Sequence, residues 1–137
     1  MNVFPLMSQD RDEAVALWEA CGLVRPWNDP RADFTRALTS PCSEVLGIRE
    51  AGVLMGTVMV GGDGHRGWVY YLASAPEHRG EGIGRALMQA AETWLDSHGL
   101  PKIQFMVRST NSDVLAFYEQ LGYERQDVAV LGRRLDA

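Results

Sequence analysis

Trp68-Val69-Tyr70-Tyr71-Leu72-Ala73 followed by Arg79-Gly80-Glu81-Gly82-Ile83-Gly84 is the stretch that decides the fold: an apolar strand, a short segment containing Pro76, and a glycine-rich turn that opens a long helix. The helix expected from Gly82 to His98 carries Ile83, Leu87, Ala90, Ala91, Trp94 and Leu95 on one face. Gly99 stops it and Pro101 prevents its resumption. The first amides of a helix have no partner within it, and glycines let a ligand approach them closely. A strand, a glycine turn and a helix in this order therefore predict a cradle for an anion, most simply a phosphate.

Working outward, the rest of the chain supplies the layers that this unit needs. Val3 to Met7 reads as a first strand. Asp10 with Glu13 has the spacing of a capping box, and Ala14, Leu17, Trp18 and Cys21 recur at helical intervals up to Gly22. Arg25-Pro26-Trp27-Asn28-Asp29-Pro30 breaks regularity, and a second helix is expected over Arg31 to Thr39. Strand character begins at Glu44, turns at Glu50-Ala51-Gly52 and returns over Val53 to Val60. A loop with four glycines, residues 61–67, leads into the strand quoted above. Ile103 to Val107 alternates as a further strand, Asn111 caps a helix to Leu121, and Val128 to Leu135 reads as a last strand. Hairpins mixed with crossovers predict an α/β layer with helices on both faces.

Composition narrows the function classes. The 137 residues suit one domain spanning 1–137, and 46% hydrophobic with 23% charged residues is the balance of a soluble globular chain. A net charge of −5 argues against binding nucleic acid by bulk charge, which requires a basic face. Cys21 and Cys42 show no metal-ligand spacing, His65, His78 and His98 are scattered, and the two thiols fit a reduced, cytoplasmic setting. Met1-Asn2-Val3-Phe4-Pro5 lacks the pattern of a signal peptide, and no apolar run approaches the roughly 20 residues of a membrane span.

The spacing of the glycine turn excludes two common phosphate binders. A Walker A loop requires Lys-Ser/Thr after its last glycine, whereas Gly84 is followed by Arg85-Ala86. A dinucleotide fingerprint requires a third glycine where this chain has Leu87, and belongs near the start of a repeated βαβ array. What remains is Arg-x-x-Gly-x-Gly at the start of a helix. Downstream, Asn111-Ser112-Asp113-Val114-Leu115-Ala116-Phe117-Tyr118-Glu119-Gln120-Leu121-Gly122-Tyr123 forms a second block. Together these resemble the two signatures of the GCN5-related N-acetyltransferase (GNAT) family: the coenzyme A turn Gln/Arg-x-x-Gly-x-Gly/Ala, and Asn-x-x-Ala-x-x-Phe-Tyr-x-x-x-Gly-Phe/Tyr. The segments 25–30 and 62–67 are similar to the bacterial YpeA-type branch of that family. The resemblance implies a mixed central sheet of about six to seven strands flanked by about four helices, splayed at an acetyl-CoA site.

It further implies an acetyl-CoA-dependent N-acetyltransferase acting on a primary amine by direct attack in a ternary complex, without a metal, as a monomer or homodimer. The amine would sit on a small molecule, a peptide N-terminus or a lysine. A non-catalytic acyl-CoA-binding module on the same fold is the alternative. The amides around Arg79, Gly80, Glu81, Gly82, Ile83, Gly84 and Arg85 would hold the pyrophosphate. Leu72, Ala73 and Ser74 would pair with the pantetheine arm through their backbone, with Ser74 standing where the family usually has an aliphatic residue. Asn111 reads either as a pantetheine contact or as a helix N-cap. Tyr118 would be the general acid that protonates the departing thiolate, its phenol being protonated at neutral pH; the plainer reading is a core tyrosine.

Many family members carry a glutamate early on the strand before the glycine turn, where this chain has Trp68 and Val69. Asp63, His65, Glu44 or a water held by Tyr70 could substitute as base, although an aspartate in such a glycine loop more often makes a turn. Strand alternation places Trp68, Tyr70, Leu72 and Ser74 on one face, and Val69, Tyr71 and Ala73 on the other. Trp27, Asn28 and Asp29 fall in the region that edges the acceptor pocket in the family. They read either as a receptor for a cationic amine or as a structural loop with Trp27 in the core.

Overall fold

A computed structural model describes residues 1–136. The chain forms two compact units, Met1–Met106 and a second from Val107 onward. The first unit is built on a five-stranded sheet in the order β1 (Val3–Pro5), β2 (Ser43–Glu50), β3 (Val53–Gly62), β4 (Gly67–Ser74) and β5 (Ile103–Gln104). The first three pairings are antiparallel, and β4 pairs with β5 in parallel. Helices α1 (Arg11–Ala20) and α2 (Pro30–Thr39) precede β2, and α3 (Ile83–Ser97) follows β4.

Side chains of β3 settle which helix covers which face. Successive residues of a strand point to opposite sides. Thr57 accepts a hydrogen bond from the Trp18 indole of α1 at 2.8 Å, while a Cβ at the neighbouring Gly56 would lie 2.6 Å from Ile83 and 2.8 Å from Leu87 of α3. So α1 packs on one face and α3 on the other. The α3 face is closed by Ile83, Leu87, Met88, Ala91 and Leu95, all buried, with Val69 of β4 also buried. The α1–α2 face is filled by Trp18 and Phe34, fully buried with ring centroids 6.0 Å apart.

Two expectations about helix ends and strands are corrected. Asp10 and Glu13 do not form a capping box for α1. Arg49 of β2 takes Asp10 at 2.7 Å and Glu13 at 2.8 Å, and Glu13 also accepts the Leu54 amide at 2.9 Å. Both carboxylates tie α1 to the β2–β3 hairpin instead. The expected strand over Ile103 to Val107 stops at Gln104. Its pairing with β4 covers only Gly67↔Ile103 and Trp68↔Gln104, so the outer edge of β4 beyond Trp68 has no strand partner among the described residues. An open edge of this kind is what the family resemblance implies.

The second unit contains α4 (Ser112–Gln120), capped by Asn111, whose side chain accepts the Val114 amide at 3.3 Å. The strand expected over Val128 to Leu135 is absent: no residue after Gln120 is in a strand among those described. Val128, Val130, Leu131 and Leu135 are exposed. The pattern there is strand-like, but a strand requires a neighbour to pair with, and none is supplied. The sheet therefore has five strands rather than six or seven.

Candidate active site

β4 is not a regular strand. Tyr70 faces Met59 and Ala73 faces Thr57, so Tyr71 and Leu72 together oppose the single residue Val58. This is a β-bulge, and Tyr71 sits in it at φ +53°, a conformation an L-residue adopts only under constraint. The constraint is visible. The Tyr71 ring stacks on Trp18 with centroids 3.9 Å apart and planes within 13°. Its hydroxyl donates to Asp33 of α2 at 2.7 Å. Its carbonyl accepts the Thr57 hydroxyl at 3.0 Å, and Thr57 in turn accepts the Trp18 indole. Thr57 is the one buried polar residue among the described residues, and this chain of hydrogen bonds satisfies it.

The bulge overturns the expected alternation. Tyr71 joins Trp68 and Tyr70 on the α1–α2 face, Ala73 follows on that face opposite Thr57, and Val69 alone of the expected set stays on the α3 face. It also fixes a peptide plane. The C=O and the following N–H point in opposite directions across a trans peptide. With the Tyr71 carbonyl turned to Thr57, the Leu72 N–H points away from Thr57.

Beyond Ser74, residues Pro76–His78 form a 3-10 turn, and Gly80 and Gly82 both adopt φ +85°. That geometry needs glycine, and it folds the loop so that α3 begins at Ile83 with Gly82 as its N-cap. The Ala86 amide is the first to bond back, to the Gly82 carbonyl at 3.0 Å. The amides of Ile83, Gly84 and Arg85 therefore project from the helix end with its positive pole, and no side chain caps them. Arg79 is exposed beside them, while Glu81 is drawn aside to His78 Nδ1 at 2.9 Å. This arrangement fits an anionic diphosphate, and the open β4 edge fits an extended arm leading from it.

On the other face of the sheet, α2, the α1–α2 segment and the β3–β4 hairpin enclose a cavity of about 650 Å³. Trp68, Tyr70 and Tyr71 form an aromatic wall, and Asn28, Asp33 and Asp63 contribute polar groups. Asn28 and Tyr70 both line this cavity. Trp27 and Asp29 do not line it: Trp27 is 56% exposed instead of in the core, and Asp29 caps α2 by accepting the Ala32 amide.

The base candidates separate on geometry. Asp63 lines the cavity, accepting the Arg66 and His65 amides at 2.7 and 2.8 Å and the Trp68 indole at 3.1 Å. These bonds, the Arg66 amide foremost, lower its pKa to about 2, making it a standing anion and a weak base. His65 does not line the cavity; its ring lies 3.4 Å from the Arg66 guanidinium. Glu44 accepts the Trp94 indole on the α3 face, opposite the cavity. Asp33 and Arg36, 3.1 Å apart, were not singled out in the sequence. Their i,i+3 spacing in the helix after Asn28 was the available signal. Thr57 gave none beyond a single hydroxyl in an apolar strand.

In the second unit, the Tyr118 ring meets Phe117 and Tyr123 edge-on at 5.2 and 6.0 Å. Burial pushes its phenol up to about 12. Asn111 spends its side chain on the cap described above.

Residues 8–123 match the model of the acetyltransferase (GNAT) family, and the chain belongs to that family. The fold recurs in AAC(6')-Iy solved with a bisubstrate analogue, CoA-S-monomethyl-acetylneamine, at 14% identity over 97% of both chains, TM-score 0.83. It recurs in the ribosomal-protein-alanine N-acetyltransferase of Brucella melitensis, at 23% identity over 97% of this chain and 98% of that one, TM-score 0.77. A third is the aminoglycoside 6'-N-acetyltransferase AAC(6')-IG of Acinetobacter haemolyticus, at 17% identity over 99% and 100%, TM-score 0.79. Such identities establish a shared fold, and the acceptors of these enzymes remain their own. Among the described residues no helix is long and apolar enough to cross a membrane.

Proposed function

We infer that the chain is an N-acetyltransferase that uses acetyl-CoA as donor and a primary amine as acceptor, in one domain spanning its length. The observation that carries this reading is the pair of left-handed glycines presenting the Ile83, Gly84 and Arg85 amides at the end of a strand with an open edge. Acetyl-CoA supplies the acetyl group as a thioester. The Gly80–Arg85 amides bind its pyrophosphate, and the Leu72–Ser74 backbone pairs with its arm. The Leu72 N–H, turned outward by the Tyr71 bulge, donates to the thioester carbonyl oxygen as negative charge develops there. The amine forms the new C–N bond, the C–S bond breaks, and Tyr118 donates its proton to the sulfur. The amine proton leaves through water, which returns a proton to the Tyr118 phenolate, rather than through Asp63, whose basicity is too low.

The test is thiol release from acetyl-CoA across a panel of amines, alongside calorimetry of acetyl-CoA binding. Tyr118→Phe is expected to lower kcat at least tenfold with little change in acetyl-CoA affinity, the scale of general acid catalysis. Equal rates in the two proteins would remove Tyr118 from the mechanism. Acetyl-CoA binding with no release to any amine would favour the non-catalytic acyl-CoA module.

A further inference from the structure

The reading above leaves the acceptor unspecified, and the cavity on the α1–α2 face carries information about it. Its charged groups are Asp33, Arg36 and Asp63. Asp33 and Arg36 pair with each other, so their charges offset. Among the described residues Asp63 is in no ion pair: Arg66, three residues along the chain, turns instead to the His65 carbonyl at 3.2 Å and ring at 3.4 Å. The three donors Asp63 does have are neutral N–H groups, which fix the carboxylate without cancelling its charge. That charge reaches into the cavity, where it adds to burial in raising the Tyr70 phenol pKa. The cavity thus keeps one net negative charge, located where β4 begins.

The position of that charge matters. Under the function proposed above, on which this inference rests, the reacting nitrogen meets the thioester near Leu72. Asp63 binds the indole of Trp68, four residues earlier on β4. At about 3.3 Å per residue, the two points are on the order of 10 Å apart after allowing for the bulge. The wall between them is aromatic, Trp68, Tyr70 and Tyr71, a surface that favours a cation or the methylenes next to one. A volume of about 650 Å³ is that of a site for a small molecule.

We propose that the acceptor is an elongated small-molecule diamine, whose far ammonium group is held by Asp63 against Trp68 while its near amine reaches the open edge of β4. Asp63 is a specificity residue in this arrangement. Its distance from the reacting end separates it from proton transfer.

Two measurements test this. Calorimetry compares 1,4-diaminobutane through 1,10-diaminodecane with alkyl monoamines of equal length; thiol release from acetyl-CoA is then measured with the same compounds. Diamines spanning about 10 Å are expected to bind roughly tenfold more tightly than matched monoamines, the scale of an exposed ion pair added to a cation–π contact, with a contrast that shrinks in high salt. Asp63→Asn retains the turn-forming oxygen and removes the charge, and should bring the diamine-to-monoamine ratio close to one in both assays. If binding shows the diamine preference but no amine releases thiol, the acetyltransferase reading fails and the cation site stands. If acetyl transfer occurs with no diamine preference in binding or rate, the cation site fails and the acetyltransferase reading stands. Equal losses for both amine classes in Asp63→Asn would also overturn the proposal, since they would mark Asp63 as structural or catalytic. Trp68→Phe, which removes the indole donor but retains an aromatic face, should weaken the diamine preference without abolishing it.

Discussion

Thr57 is the residue on which most of the site geometry converges. It accepts from Trp18 and donates to Tyr71, so one buried hydroxyl joins α1, β3 and β4 at the strained position. Thr57→Val has nearly the same shape but leaves a buried indole N–H and a carbonyl unpaired. An unsatisfied buried group costs about 1–3 kcal/mol, so urea unfolding should show a loss of about 2–4 kcal/mol. Thr57→Ser should recover most of it. If the Tyr71 carbonyl sets the direction of the Leu72 N–H, the valine variant should also lose kcat while its KM for acetyl-CoA holds. None of this was legible from the sequence. The alternation of Trp68 to Ser74 pointed Tyr71 the wrong way because a bulge is imposed by partners distant in the chain, Trp18, Asp33 and Thr57. Nothing local in Tyr70-Tyr71-Leu72 encodes it. Asp63 shows the opposite case, since its turn-forming role was readable from the glycines around it.

Among the elements, α3 and the loop before it were the most readable. The apolar spacing of Ile83, Leu87, Ala91 and Leu95 and the stop at Gly99 are local signals, and the helix runs from Ile83 to Ser97 as they require. Gly80 and Gly82 serve this helix in a way open to measurement. At Gly80 an added Cβ would meet nothing within 4 Å, so Gly80→Ala pays only for its φ of +85°. The expected stability loss is about 1–2 kcal/mol in urea, with a larger proportional loss of acetyl-CoA affinity as the amides turn away. Gly56→Ala differs: its Cβ would sit 2.6 Å from Ile83 and 2.9 Å from the Ala73 carbonyl, pushing α3 off the sheet. Overpacking of that kind costs about 1–3 kcal/mol and should be visible as a lower Tm. The expected final strand failed for a reason of the same physical kind as the bulge. Val128, Val130 and Leu131 carry strand propensity, but pairing depends on what lies alongside, and sequence pattern does not report that.

For the molecule as a whole, the perturbed groups set the limits of its pH stability. Asp63 is lowered to about 2, so its contribution is complete above its ordinary value of 3.8 and is lost as the pH falls from roughly 4 towards 2. Tyr118 is raised to about 12 by burial, and Tyr71 is raised by burial and by Asp33. A raised phenol contributes fully below its unfolded value of 10, and the contribution disappears as the pH climbs from there towards the folded value. These groups leave stability level between about pH 4 and pH 10, falling on both sides. Urea midpoints across that range should show the plateau, and Asp63→Asn should soften the acid limb alone. A catalytic limb from Tyr118 ionisation should not appear below about pH 11.

The Tyr71 bulge also bears on the order of assembly. A chain that has paired β3 with β4, but has not yet docked α1 and α2, lacks the Trp18 ring and the Asp33 carboxylate that hold Tyr71 at φ +53°. In that state only the Thr57 hydrogen bond still acts on Tyr71, whose left-handed conformation is disfavoured without the other contacts. The Leu72 end of β4 is then expected to reach its final geometry after the sheet itself, and in refolding experiments acetyl-transfer activity should return later than strand content measured by circular dichroism.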